Sequence, residues 1–150
     1  MDNAEYERAL EKFSVADNLL VRSQYWTVIL RPKQITLGAL VLIPNSPIDD
    51  FDAVAADEAA DLFTVVARCQ AVLREVFNAD RFNLIAAMMK DHFVHFHLTP
   101  RYESDRHLAG MTWVDRDWPS LIDFGTDAPP PEDNIPVLDR LRIAFSGSQA

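Results

Sequence analysis

One long amphipathic stripe sits between two groups of strand-like runs. Leu62, Val65, Val66, Cys69, Val72, Leu73 and Val76 recur at three- and four-residue steps, which places them on one face of a helix expected from about Ala56 to Phe77. Asn78-Ala79-Asp80 supplies its stop. Upstream, LLVRS, YWTVIL and TLGALVLI are rich in β-forming residues and are broken near Ser23 and at the turn Arg31-Pro32-Lys33-Gln34. They are expected to be antiparallel neighbours with short connections. Downstream, RFNLIAAMMK and FVHFHLTP are separated only by Asp91 and His92, a spacing suited to a hairpin. The sheet should therefore hold about five strands. Tyr6, Leu10 and Phe13 stand at i, i+4 and i+7 behind Asp2 and Asn3, which predicts a short helix covering the core.

A chain of 150 residues, 49% apolar and 25% charged, fits one domain with its own core. Its formal charge of -9 would repel a phosphate backbone, so duplex nucleic acid is not an expected partner. The single cysteine, Cys69, has no internal disulfide partner and reads as a packed core thiol because it lies inside the helical stripe. The acidic start MDNAEYERALEK lacks the basic and apolar regions of a signal peptide, which points to a reducing, cytoplasmic setting. No apolar run approaches the roughly 20 residues needed to cross a bilayer. Residues 1–126 are expected to form a single domain, 127–136 a Pro-rich acidic linker, and 137–150 a short helix and tail that docks back. Between them, GMTWV reads as a weak strand or extended arm.

Three of the four histidines fall within DHFVHFHL. On a strand, His95 and His97 project from one face with Phe93 and Thr99, while Val94, Phe96 and Leu98 point to the other and fill the core. His92 has the opposite parity and joins the pair only if the hairpin turn redirects it. The pair is open to three chemistries. Both rings can be partly buried polar groups satisfied by hydrogen bonds. They can ligate a metal, with His92 or Asp91 as a third donor, although Arg101 stands where a cupin-like site would want a glutamate. Or one neutral imidazole attacks phosphorus while its neighbour contacts the phosphoryl oxygens.

The run His95-Phe96-His97-Leu98-Thr99-Pro100-Arg101-Tyr102 resembles the signature of the histidine triad (HIT) superfamily, in which histidines alternate with apolar residues. The resemblance extends through TLGALVLIP, the long helix, FNLIAAMMKD and LAGMTWVD, roughly residues 18 to 116, and the run MMKD before VHFH is similar to a bacterial branch of small HIT proteins. It implies an α+β, HIT-like fold with a five-stranded antiparallel sheet, one long helix and one or two short ones, paired across a homodimer into a ten-stranded sheet. It also implies attack on the α-phosphorus of dinucleoside polyphosphates or nucleoside phosphoramidates through a covalent nucleotidyl-histidine, with no metal and no cofactor. By position His95 would be the nucleophile and His97 the phosphate contact.

Several positions depart from that pattern. Phe93 holds the place of the leading histidine, with His92 one residue earlier. Arg31 stands where an Asn or Asp often binds the ribose hydroxyls, and a guanidinium cannot accept those bonds. Gly38-Ala39 replaces Gly-His, and Ala87 or Met88 replaces a phosphate-contacting Asn. Candidate substrate-binding residues are therefore Arg31, Arg101 and His92, for a nucleotide or small phosphorylated substrate. Asn83 and Gln34 match residues of the same branch, and each can equally cap a strand or turn. His107 is read as a solvated loop residue.

Overall fold

Local chemistry sets the ends of the helices. In α1 (Asn3–Lys12) the Asp2 side chain accepts from the Ala4 amide at 2.9 Å, an N-cap in the expected place. A single helical turn, α2 (Val15–Asn18), follows. After β1 (Leu19–Arg22), β2 (Trp26–Leu30) and β3 (Leu40–Pro44) comes α3 (Ala56–Phe77), which begins where the Ala55 amide donates to Glu58 Oε2 at 2.8 Å. It ends where Asn78 takes a left-handed conformation, φ 55, and donates to the Arg74 carbonyl. Then come β4 (Arg81–Ile85), β5 (Phe96–Arg101), the small hairpin β6 (Arg106–Leu108) and β7 (Met111–Trp113), and α4 (Ile135–Gly147). The computed structural model describes residues 2–148.

The main sheet has five strands in the order β1-β2-β3-β5-β4, with every neighbouring pair antiparallel. The α+β class and the strand number match the expectation. Side-chain alternation divides the sheet between two cores. Val28, Leu30, Leu40, Leu42 and Leu98 pack with Leu62, Val65, Cys69 and Leu73 of α3, and α4 adds Val137, Leu141 and Phe145. Ile29, Val41 and Ile43 pack on the other face with Tyr6, Ala9 and Phe13 at α1. Full burial of such apolar side chains is worth about 1.5–3 kcal/mol each, which is why the central strands stay apolar on both faces. Cys69 is buried in the first core as expected, and burial pushes its thiol up to about 12.

Three boundaries differ from the sequence-based expectation. The β4–β5 connection is not a two-residue turn, because residues 86–95 all lie outside the two strands. The apolar run there mimics a strand. Its backbone bonds instead tie it to other elements, with the Val94 amide donating to the Ile48 carbonyl at 2.8 Å and the His92 amide to Glu5 Oε1 at 3.1 Å. The third strand is shorter than TLGALVLI, since residues 36–39 form the loop before it. Gly38 there has φ +83, and a Cβ would lie 2.8 Å from Leu73 Cδ2, so α3 packs directly against its backbone. The proline-rich stretch is not extended throughout: Pro131–Asn134 forms a 3-10 turn and α4 begins at Ile135, because proline is compatible with the first turn of a helix.

Candidate active site

Strand β5 lies between β3 and β4, and His97 sits opposite Val41 on one side and Ile85 on the other. Its side chain faces the α1 side of the sheet, as parity required. His95 precedes the regular strand yet keeps the same face, with the two imidazole centroids 5.4 Å apart and both rings buried. Phe13, just past the end of α1, covers the pair at 6.0 Å from His95 and 6.5 Å from His97. The two histidines line a cavity of about 370 Å³ together with Phe13, Arg31, Met88 and Phe124.

Hydrogen bonding distinguishes the two rings. His95 Nδ1 lies 2.8 Å from the Phe93 carbonyl, and a carbonyl only accepts, so Nδ1 carries the hydrogen and Nε2 keeps its lone pair. Burial lowers the pKa of His95 below the usual histidine range. His97 is pushed down to about 3, first by burial and then by the positive charges of Arg31 and of its histidine neighbour. Both rings are therefore neutral at pH 7. His97 Nδ1 is buried without a hydrogen-bond partner among the described residues.

Phe124 closes the other side. Its ring lies 4.9 Å from that of His97, and the Arg31 guanidinium stacks over it at 5.1 Å. The loop that carries it is anchored twice. Lys33 Nζ donates to the Phe124 carbonyl at 3.0 Å, and Asp117 Oδ2 accepts from the Asp123 amide at 3.0 Å and from Thr126 Oγ1 at 2.9 Å. Arg31 Nη1 donates to the Lys33 carbonyl at 3.1 Å, which fixes the guanidinium beside the cavity that Arg31 lines.

Not every expected residue reaches this cavity. Phe93 is fully buried in the α1 core, 4.9 Å from the His95 ring and edge-on to Tyr6, so the leading position is filled by packing. His92 is 70% exposed and paired with Glu5 at 3.1 Å, so the turn does not bring its ring back to His95. Arg101 is also absent from the lining. Its buried guanidinium is committed to Asp115 at 2.7 and 3.1 Å, to Asn83 Oδ1 at 2.8 Å and to the Ser120 carbonyl at 2.7 Å, and it acts as a strut between β5 and residues 115–120. Gln34 likewise ties the Arg31 and Ala39 carbonyls and the Gly38 amide within the β2–β3 loop. His107 is exposed on β6, with Nδ1 3.2 Å from Thr112 Oγ1. Among the described residues no group of three or more His, Cys, Asp or Glu side chains is placed to hold a metal ion.

Sequence reasoning missed Phe124, Phe13, Lys12 and Lys33. The only local signal for Phe124 was an aromatic residue between turn-forming neighbours, Asp123 and Gly125, in the segment hardest to assign.

The model of the HIT domain family matches residues 12–104. A curated relative, the asymmetrical bis(5'-nucleosyl)-tetraphosphatase of Schizosaccharomyces pombe, is 28% identical over 99 residues, which cover 63% of this chain and 54% of that protein. The chain thus spans about half the length of that relative. Among solved structures, a histidine triad protein of Marinobacter aquaeolei matches with a TM-score of 0.70 at 20% identity, covering 91% of this chain and 93% of that one. A histidine triad nucleotide-binding protein described as hypothetical, from Sulfolobus tokodaii, matches with a TM-score of 0.67 at 17% identity, with 89% of each chain covered. These structures share the fold, while the family match spans the sheet and the histidine-bearing strand. On that ground the chain belongs to the HIT domain family.

Proposed function

We propose that this protein is a nucleotide phosphohydrolase or nucleotidyl transferase that works through His95. The observation that carries this reading is the bond from His95 Nδ1 to the Phe93 carbonyl, which leaves Nε2 as an unprotonated nucleophile on a ring that lines the cavity. The Nε2 lone pair attacks the α-phosphorus, the bond from phosphorus to the leaving oxygen or nitrogen breaks, and that atom takes the electron pair. The positive charge that develops on the His95 ring is shared with the Phe93 carbonyl. His97, neutral and one ring away, contacts the phosphoryl oxygens by donating its N–H hydrogen bond, and the leaving atom takes any proton it needs from solvent. Water, or an acceptor alcohol, then attacks the same phosphorus. The P–N bond breaks, its pair returns to Nε2, and the attacker's proton is released to solvent. Arg31 lines the same cavity and contributes to substrate binding.

The presence of Phe93 in place of the leading histidine favours a second reading, a HIT protein that binds a nucleotide or small phosphate without turnover. The two are separated by assaying a panel of dinucleoside polyphosphates and nucleoside phosphoramidates against the wild-type protein and His95→Asn. The catalytic reading expects turnover that falls by at least about a thousandfold in the variant, since losing the nucleophile closes the covalent route. Equal turnover in both proteins would remove His95 from the mechanism, and binding without turnover in either would establish the second reading.

We also propose a cytoplasmic homodimer. What supports pairing is β4, which ends the sheet with half-buried Phe82, Asn83, Leu84 and Ile85. At the opposite end, the Leu19 carbonyl of β1 is bonded by Arg142 of α4 at 3.1 Å.

A further inference from the structure

In an acidic chain the candidate cavity is the exception. Lys12, Arg31, Lys33 and Lys90 line it, against Asp91 as the one carboxylate among its lining residues, while the whole chain carries a formal charge of -9. Asp91 is itself neutralised by Lys12 at 2.8 Å. With both imidazoles neutral, a single phosphoryl group, carrying one or two negative charges, leaves at least one of the three remaining cations unmatched. Lys33 and Lys90 are exposed, and Lys33 Nζ is bonded to the Phe124 carbonyl. Arg31 is different: its guanidinium is half-buried against the Phe124 face and makes one hydrogen bond, through Nη1. Most of its five N–H donors thus have no acceptor among the described residues, and a planar fork so placed suits a two-oxygen anion. Only Phe124 separates it from His97, at 5.1 and 4.9 Å from the two groups.

We infer that Arg31, backed by Lys33, forms a second anion subsite beside the His95–His97 pair, so that the preferred ligand is a nucleotide carrying a second phosphate or carboxylate besides the phosphoryl group at His95. This deepens the proposed function and rests on it for the placement of the first phosphoryl. The second anion has two possible sources, the next phosphate of a polyphosphate chain or a phosphate on the ribose.

Binding of unreactive nucleotides tests the subsite apart from catalysis. Calorimetric titration of the wild-type protein, Arg31→Gln and Arg31→Lys would use AMP, ADP and adenosine 3',5'-bisphosphate. The wild-type protein should bind ADP or the bisphosphate at least about tenfold more tightly than AMP, the value of one charge-assisted hydrogen bond to a partly buried anion. Whichever of the two is preferred identifies the source. Arg31→Gln should reduce that preference to within about threefold, and Arg31→Lys should retain part of it, because the charge survives and the fork does not. Equal affinity for all three nucleotides, an equal loss for all three in Arg31→Gln, or no measurable binding of any of them would overturn the subsite. Selective binding with no turnover on the catalytic panel would leave the subsite standing and remove catalysis; turnover without selectivity would do the reverse.

Discussion

His95 and His97 project from one face of the same segment, yet their bonds give them different work. His95 has its tautomer set by the Phe93 carbonyl, while His97 has a buried Nδ1 with no partner among the described residues and stands one aromatic ring from a guanidinium. Their lowered pKa values fix the sign of a pH effect. Below the ordinary value of 6.5 the unfolded chain takes up protons that these buried rings refuse, so this contribution to stability is complete above pH 6.5 and is lost as pH falls toward about 3. Thermal midpoints recorded between pH 7.5 and pH 4 should therefore decline, and His97→Gln should flatten that decline. An identical slope in the variant would assign the acid sensitivity to other groups. Arg101 supplies the opposite lesson about a charged residue near a signature. Its bonds with Asp115, Asn83 and Ser120 leave it structural, so Arg101→Gln should cost about 3–5 kcal/mol by stranding the buried Asp115 carboxylate. Chemical denaturation measures that loss, and a variant of wild-type stability with a raised KM would return Arg101 to the substrate.

At the scale of elements, the sequence was most legible where burial is periodic. The stripe from Leu62 to Val76 marked α3 at Ala56–Phe77, and strict alternation in VHFHL put both catalytic candidates on one face before any packing was known. Legibility failed where long-range bonds outweigh local pattern. The Ala86–His95 connection reads as strand because it is apolar, but Val94 is drawn to Ile48 and His92 to Glu5, residues distant in sequence. Phe124 was invisible for a related reason: its place on His97 depends on Asp117 and Lys33 holding its loop, and no period links those residues. The cavity was therefore half legible, its histidine floor from the alternation leading into β5 and its roof only from the fold. The short helix α1 also proved to be more than a cover, since Lys12 and Phe13 at its end form part of the wall.

At the scale of the whole molecule, a chain of net negative charge places four cations around its neutral histidine pair, an arrangement that favours an anionic ligand there. No helix among the described residues is long and apolar enough to cross a membrane. The sheet leaves β4 at its edge, and pairing of two such edges predicts a sedimentation mass twice the 17.0 kDa of one chain at micromolar concentration. A species of 17.0 kDa would contradict the dimer. The central claim is the nucleophile, and the most direct test is intact-mass analysis after rapid acid-free quenching of the protein with a reactive phosphoramidate or dinucleoside polyphosphate, followed by peptide mapping. The account predicts a single nucleotidyl adduct on the peptide containing His95, absent from His95→Asn. Turnover of the same compound with no adduct at any time point, or an adduct that persists in His95→Asn, would contradict it.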